Sequence, residues 1–207
     1  MICVAYASAG SAKAPSLKVG DLLFKAVPSD SAFSDAVVQS TQRSDDNRRV
    51  SHVGVLTSIR NGKGFVTEAV FSGVQEIPLS LFISKKPGDK TTVIVARLKP
   101  PYRGAIAPAI RRIKALVGKP YDREFLPDND RYYCSELIAC TFRLQGQPIF
   151  PSKPMTFKNL DTGKTSQLWI DYFKELGEPI PEGVEGTNPI DLLKSPVVEQ
   201  IMTIRSH

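Results

Sequence analysis

One cysteine in the sequence has a setting that favours nucleophilic chemistry. Cys134 lies at the start of a stretch, residues 133–145, that is predicted to be helical, with Gly146 as its stop. A cysteine in the first turn of a helix faces the positive end of the helix dipole, which favours its thiolate. Thiolates attack carbonyl carbons, so the expected chemistry is acyl transfer. The competing interpretation is an unreactive buried thiol, which is what we expect for Cys140 in the middle of the same helix.

Acyl transfer by a thiol requires a base that takes the thiol proton and returns it to the leaving group. Histidine is the residue that titrates near neutral pH, and the sequence contains two, His52 and the C-terminal His207. His52 is therefore the candidate base. A lone histidine at the start of a strand is often structural, so this assignment depends on finding a third group that orients the imidazole.

Glu68 is the candidate for that third group. It lies between Thr67 and Ala69 on a strand-like stretch, where a carboxylate among apolar residues needs a partner. The alternative for Glu68 is an outward-facing position on the strand. Glu76, on the next strand-like stretch, is the reserve candidate for the orienting role.

The remaining cysteines and histidines predict neither a metal site nor a disulfide framework. Three cysteines are an odd number, and Cys3 lies near the N-terminus. Cys134 and Cys140 are six positions apart, which places them on different faces of a helix. With two histidines in the chain, a zinc site is not expected, and no cofactor is predicted.

Composition excludes several classes of protein. The chain has 207 residues, 42% of them hydrophobic, and lacks the uninterrupted apolar stretch of about 20 residues that a membrane span requires. It carries a formal net charge of +6, with the basic excess in its middle, which favours anionic partners. No nucleic-acid-binding motif accompanies that charge, so a nucleic-acid partner is not expected.

Hydrophobic patterning predicts strands first and helices later. A loop leading into a strand is expected over 17–27, a helix over 29–40 capped by Asp30 or Ser31, and a hairpin turning at Asn61-Gly62. Four consecutive strands, a meander, are predicted at 52–59, 65–70, 74–77 and 92–98. Helices are expected over 106–117, 133–145 and 166–176, and the loop-rich tail should wrap the core.

One domain is predicted over residues 17–207, since no internal repeat is visible. Residues 1–16 are interpreted as an N-terminal extension or the remnant of a leader. They combine an apolar run with small residues typical of a cleavage site, but lack a positively charged start. A disordered N-terminus is the equal alternative.

Four short segments together resemble the NlpC-type papain-like cell-wall amidases and peptidases. Gly-Lys-Pro-Tyr at 118–121 precedes Cys-Ser at 134–135 by about a dozen residues, and Gly-Asp-Leu at 20–22 precedes His-Val-Gly at 52–54. The histidine half comes first here, whereas the cysteine half comes first in most of the family. This order resembles the circularly permuted, YiiX-like branch and, more distantly, lecithin retinol acyltransferase.

The resemblance implies an α+β, circularly permuted papain-like fold, with an antiparallel sheet or small barrel packed against helices. It also implies that Cys134 is the nucleophile, His52 the base and Glu68 the orienting residue, with the Tyr121 hydroxyl helping to hold the oxyanion. The sequence departs from the family in having Glu as third member where many relatives have His. It also has Glu136 after Cys-Ser, where the usual residue is Gly.

The expected function is therefore that of a cysteine amidase or peptidase, and the resemblance suggests peptidoglycan stem peptides as substrate. That substrate would place the protein in the bacterial cell envelope, in the periplasm or outside the cell, with the cytoplasm as the alternative. An amide or ester of a lipid or acyl chain is the alternative substrate, which a large apolar groove beside Cys134 would favour. A third hypothesis is a binding module whose site is idle.

Overall fold

A six-stranded antiparallel sheet forms the centre of the computed structural model, which describes residues 16–26, 31–83 and 91–205. The strands lie in the order β10-β5-β1-β2-β3-β4. The sheet is open, with β10 and β4 at its edges, so it is not the closed small barrel considered above. Its strands are β1 (Leu22–Ala26), β2 (Val50–Arg60), β3 (Lys63–Val70), β4 (Gly73–Pro78), β5 (Thr92–Leu98) and β10 (Val198–Arg205).

Helices and short strand pairs follow the central strands along the chain. A 3₁₀ helix, Pro100–Ala105, leads directly into α3. The helices are α1 (Ala32–Thr41), α2 (Leu79–Ile83), α3 (Ile106–Ala115), α4 (Cys134–Thr141), α5 (Gln167–Leu176) and α6 (Pro189–Lys194). The short strands are β6 (Arg143–Leu144), β7 (Gln147–Pro148), β8 (Lys153–Pro154) and β9 (Glu185–Gly186). None of the helices in the described ranges has the length and apolar composition needed to cross a bilayer.

The predicted four-strand meander is correct for three strands and wrong for the fourth. β2, β3 and β4 form two consecutive hairpins. Asn61 and Gly62, in the first turn, both have positive φ, as a tight hairpin turn requires. β5 instead pairs with β1, on the other side of β2. It does so because β1 precedes the meander and leaves one edge free, where apolar residues such as Phe24 and Ile94 face each other.

Two further predictions are corrected by turns and pairing. Helix α4 ends at Thr141 rather than Gln145, because Gln145 and Gly146 form a positive-φ turn that pairs β6 with β7. The tail does more than wrap the core, since its last strand, β10, pairs with β5. The helices predicted near 106–117 and 166–176 are confirmed as α3 and α5. Ser31 is the N-cap of α1, whereas Asp30, residues 1–15 with Cys3, and His207 lie outside the described residues.

The Gly-Asp-Leu segment at 20–22 fixes the entry to β1. Gly20 has φ of +93°, and a Cβ there would lie 2.5 Å from a side-chain carbon of Ile106, so both the turn and the packing require glycine. Asp21 is buried and forms two hydrogen bonds of 2.7 and 2.8 Å with the Arg97 guanidinium on β5. This motif therefore holds β1 against its neighbours and does not contribute a reactive group.

Hydrophobic packing on the sheet places the helix that carries Cys134. The largest cluster joins the sheet to α3, α4 and α6, with Ile138 of α4 and its C-cap residue Phe142 fully buried. A second cluster is mainly aromatic and gathers around Trp169 and Phe173 of α5. Because α4 is anchored by these buried side chains, its N-terminus is fixed next to β2 and β3.

Candidate active site

Cys134 is the first residue of α4, as its sequence position suggested. Tyr133 is the N-cap residue in an extended conformation, and the Glu136 carboxylate accepts a hydrogen bond from the Tyr133 backbone N–H at 3.3 Å. The first N–H groups of a helix have no partners within the helix and create a positive potential that stabilises a nearby anion. Cys134 is 8% exposed and lines a cavity, so its thiol is held in place but within reach of a ligand.

His52 and Glu68 come together across the β2–β3 ladder. Gly54 pairs directly with Glu68, and His52 lies two residues before Gly54 on the same face of β2. Nε2 of His52 is 2.6 Å from Oε2 of Glu68. Because Nε2 is engaged by the carboxylate, Nδ1 is the nitrogen left to face the Cys134 thiol, whose proximity helps to raise the pKa of His52.

The electrostatics of the pair favour a charged imidazolium and carboxylate. Burial disfavours the charged form of His52, but hydrogen bonds with Cys134 and Glu68 outweigh burial and raise its pKa to about 9. Burial likewise opposes ionisation of Glu68. The hydrogen bond and charge of His52, with smaller effects of Gln75 and Lys25, lower the pKa of Glu68 to about 2. At neutral pH, His52 is therefore protonated and Glu68 is ionised.

Glu68, and not Glu76, is the carboxylate beside His52. Glu68 is 1% exposed, and its other oxygen accepts a hydrogen bond of 3.0 Å from the Gln75 side chain. Glu76 instead accepts hydrogen bonds from Arg60 at 2.6 Å and from the Thr57 hydroxyl at 3.1 Å. The two carboxylates therefore have separate partners.

Tyr121 lines the same cavity as Cys134. Its ring centroid is 5.0 Å from that of Phe71 and 6.5 Å from that of Phe125. Burial, and the proximity of negative charge on Cys134, raise the pKa of Tyr121 well above its usual value. The phenol therefore remains protonated and can act as a hydrogen-bond donor near the thiol.

Aromatic side chains line much of the cavity, which has a volume of about 590 Å³ and opens to solvent. Starting at Tyr121, successive rings are in contact through Phe71, Phe33, Trp169 and Phe125 and return to Tyr121, with centroid separations of 5.0 to 6.5 Å. We call these five residues the aromatic wall. A cavity with such a wall is suited to bind an apolar group next to Cys134.

Sequence reasoning did not identify two neighbours of the pair, Gln75 and Lys25. Gln75 pairs with Glu68 across β3 and β4, and Lys25 pairs with His52 across β1 and β2. Lys25 is 9% exposed, and its Nζ lies 4.4 Å from the ring centroid of Phe82. Strand register was the signal that could have found both residues, but register depends on pairings that single strands do not reveal.

The second cysteine of α4 differs in its setting. Cys140 is half-buried, so it lies at the edge of the core rather than inside it, and its Sγ contacts the Leu137 carbonyl at 3.6 Å. Burial raises the pKa of the Cys140 thiol to about 12, which makes it a poor nucleophile. Both cysteines of α4 are free thiols.

Comparison with known proteins identifies the family. Residues 16–202 match the profile of a family described as permuted papain-like amidase enzymes, the YaeF/YiiX or C92 family. The chain belongs to this family. The suggested resemblance and the permuted papain-like fold are thereby confirmed, and the six-stranded sheet packed against helices is the form that the fold takes in this C92 member.

Two relatives from Escherichia coli are similar to this C92 protein. The uncharacterized protein YiiX of strain K12 is 34% identical over 126 residues, which are 58% of this chain. The match spans about half of that relative, 55% of its length. A crystal structure described as the metalloprotein YiiX from strain O157:H7 superposes with a TM-score of 0.65. It is 24% identical, and the superposition covers 90% of this chain and 97% of that one, which shows a shared fold.

Proposed function

We propose that the protein is a cysteine-dependent amidase or acyl hydrolase that forms a covalent acyl-enzyme on Cys134. The observation that carries this proposal is the arrangement of a thiol at the first position of α4, an imidazole whose pKa that thiol helps to raise, and a buried carboxylate 2.6 Å from Nε2 of the imidazole. This is the set of groups that nucleophilic acyl transfer requires. Membership of a papain-like amidase family supports the same class of reaction.

In the first step, the Cys134 thiolate attacks the carbonyl carbon of an amide or ester. A carbon–sulfur bond forms, and the carbonyl electron pair moves to oxygen. The Cys134 backbone N–H, at the first position of α4, and the Tyr121 hydroxyl donate hydrogen bonds to this oxyanion. The tetrahedral intermediate thus has one donor from the start of α4 and one from the segment that precedes it.

In the second step, the His52 imidazolium gives its proton to the leaving amine or alcohol as the bond to carbon breaks. Neutral His52 then takes a proton from water, which attacks the thioester and releases the acid. Departure of the thiolate restores the starting state with protonated His52. Glu68 remains ionised throughout, since its pKa is about 2, and it stabilises the imidazolium.

The first substrate candidate is an amide of a peptidoglycan stem peptide. Its support is the family resemblance and the net charge of +6, which suits an anionic polymer. This candidate includes the proposal that the protein works in the cell envelope, with the cytoplasm as the alternative location.

The second substrate candidate is an amide or ester of an acyl chain, and the cavity favours it. The aromatic wall offers five rings to an apolar group and begins at Tyr121, which we place beside the reacting carbonyl. Burial of apolar surface stabilises binding by about 25 cal/mol per Å² before the costs of ordering are subtracted. A polar stem peptide would leave most of this wall without complementary contacts.

A metal has no part in the proposed mechanism. The YiiX relative of known crystal structure is described as a metalloprotein. In the described part of the present chain, no group of three or more His, Cys, Asp or Glu side chains could hold a metal ion. The residues present therefore do not fit a bound metal, and we derive no step through one.

Trapping the acyl-enzyme tests this proposal and separates the two substrates. The protein is mixed with purified peptidoglycan stem peptides or with N-acyl amino acids and acyl esters, quenched in acid and analysed by intact-mass and peptide mass spectrometry. We expect an acyl adduct on the peptide that contains Cys134, formed from the acyl compounds. An adduct from stem peptides alone would select the first candidate. No adduct and no product from either class, with a thiol alkylated no faster than a model peptide, would support the idle binding module.

A further inference from the structure

The Tyr133 hydroxyl links the residue before the nucleophile to two distant segments. It accepts a hydrogen bond of 2.9 Å from the Thr187 backbone N–H and donates to Sδ of Met155 at 3.8 Å. Tyr133 is 5% exposed, and burial raises its pKa, so the phenol stays protonated and can serve as donor and acceptor together. A single hydroxyl therefore joins the start of α4 to parts of the chain more than 20 residues away.

These distant segments form one side of the cavity, which we call the C-terminal wall: residues 153–157 and 186–189. The two segments are paired through β8 and β9, with Lys153 opposite Gly186. The wall has apolar side chains, and it also includes Thr187, which is 8% exposed. The Thr187 side-chain oxygen has no hydrogen-bond partner among the residues that the structure describes.

Gly186 allows the wall to approach Tyr133 closely. A Cβ at this position would lie 2.4 Å from Sδ of Met155 and 2.7 Å from the Tyr133 hydroxyl. Real Cβ atoms do not come so close, so a larger residue would have to displace the Met155 side chain or the Tyr133 hydroxyl. The close contact between the wall and the start of α4 thus depends on the hydrogen bond of the Tyr133 hydroxyl and on the small size of Gly186.

We infer that the C-terminal wall is a substrate-specificity element and that Tyr133 is the positioning residue that fixes it relative to Cys134. The wall binds the part of the substrate next to the reacting carbonyl, with apolar contacts from Met155 and Phe157. This inference rests on the proposed acyl-transfer function, because it assigns the wall to the substrate of that reaction. Tyr133 acts through the wall and does not touch the reacting atoms.

Two alkylating probes separate the wall from the thiol. The rate of alkylation by iodoacetamide depends on the Cys134 thiolate alone. A long-chain alkyl chloromethyl ketone, from which the thiolate displaces chloride, must also bind its alkyl chain against the cavity walls. In Tyr133→Phe we expect the iodoacetamide rate to stay within about twofold, and the ketone rate to fall about fivefold or more, since one neutral hydrogen bond is lost. Hydrogen exchange of the Thr187 amide should accelerate by a similar factor.

Tyr172→Phe is the matched control, because the Tyr172 hydroxyl bonds to the Arg123 carbonyl at 3.0 Å and not to the wall. It should leave the ratio of the two rates and the Thr187 exchange as in the wild type. If Tyr133→Phe does not fold, Gly186→Ala provides the same test, since its Cβ crowds the Met155 side chain and the Tyr133 hydroxyl and so disturbs their contact without removing the phenol. An unchanged ratio with unchanged Thr187 exchange, or equal loss of both alkylation rates, would overturn the inference.

The same experiment distinguishes this inference from the proposed function. A wild-type protein that shows no preference for the long-chain ketone would contradict an apolar acyl substrate. Thr187 exchange in Tyr133→Phe does not depend on turnover. It would still show whether the Tyr133 hydroxyl holds the wall.

Discussion

The carboxylate of Glu68 lies 2.6 Å from Nε2 of His52, and its second oxygen is held by Gln75 at 3.0 Å. Both oxygens of the carboxylate are therefore held in place, one by a residue of β2 and the other by a residue of β4. A carboxylate fixed in this way determines the orientation of the imidazole and leaves Nδ1 for the thiol. The orientation of the base thus depends on strand pairing rather than on a loop.

Removing the charge of Glu68 tests whether the carboxylate orients and charges the base. Glu68→Gln keeps the size of the side chain but removes the negative charge that stabilises the imidazolium. We expect kcat to fall by about 100-fold, the lower end of what a general acid–base group contributes. The measurement is steady-state hydrolysis of the substrate selected by acyl-enzyme trapping.

Glu76→Gln is the matched control for Glu68, because Glu76 is the next carboxylate along the chain and bonds to Arg60 and Thr57. It should leave kcat within about twofold, because its partners are Arg60 and Thr57 and not His52. Equal losses in the two variants would show that the carboxylates support the fold and not the base.

Substituting the nucleophile or the base should abolish turnover and leave the fold intact. Cys134→Ala removes the atom that bonds to substrate, and His52→Ala removes the group that transfers the proton. A loss of at least about 1,000-fold in kcat is expected for each, with non-additive effects in the double variant. Cys140→Ala, in the same helix, should retain activity. Turnover that survives in Cys134→Ala with a native circular dichroism spectrum would falsify the assignment of the nucleophile.

The His52–Glu68 pair should stabilise the fold over a limited pH range. The pKa of His52 is raised from 6.5 to about 9, so its contribution is complete below about pH 6.5 and is lost as pH rises through about 9. The pKa of Glu68 is lowered from 4.5 to about 2, so its contribution is present above about pH 4.5 and is lost as pH falls through about 2. The pair is therefore most stabilising between these limits.

Urea unfolding of the wild type and of His52→Gln, compared at several pH values, measures that contribution. The difference in unfolding free energy should be largest near pH 6 and should shrink as pH passes 9, because the folded wild type then loses its extra proton. A difference that is constant from pH 6 to beyond 9 would contradict the raised pKa of His52.

The pH dependence of hydrolysis should show an alkaline limit near 9. Above that pH, His52 is neutral and has no proton for the leaving group. An amide substrate, whose amine must be protonated to depart, should lose activity more steeply than an ester with an acidic leaving alcohol. Identical alkaline limbs for the two substrates would mean that the titrating group does not act as the acid.

Local patterns in the sequence were sufficient to nominate Cys134, His52 and Glu68 for the site, with Glu76 left as the reserve. The hairpin at Asn61-Gly62 places β3 beside β2, and this pairing brings Glu68 to His52. A helix beginning near Cys134 was likewise predictable from its apolar spacing. The family motifs added Tyr121, which local patterns alone did not suggest.

Long-range pairings explain what the sequence could not predict. β5 pairs with β1, and β10 with β5, across many intervening residues, and no local signal distinguishes these partners from others of similar composition. The same limit hid the C-terminal wall, since the contact between Tyr133 and Thr187 joins residues 54 positions apart. The end of α4 was also missed, because Leu144 continues the helical pattern although it lies in β6.

Tyr121→Phe tests the oxyanion donor. Burial raises the pKa of Tyr121, so its hydroxyl is protonated and can donate a hydrogen bond to an oxyanion in the cavity. Loss of one oxyanion donor should lower kcat by about 100-fold or more, with little change in KM, because the bond is made in the transition state. The ring remains in Phe, so its contacts with Phe71 and Phe125 in the aromatic wall persist. Tyr172→Phe, which removes a hydroxyl that bonds to the Arg123 carbonyl, should leave kcat unchanged. If KM rises while kcat is retained in Tyr121→Phe, the hydroxyl binds the ground-state substrate, and the second oxyanion donor must be another group.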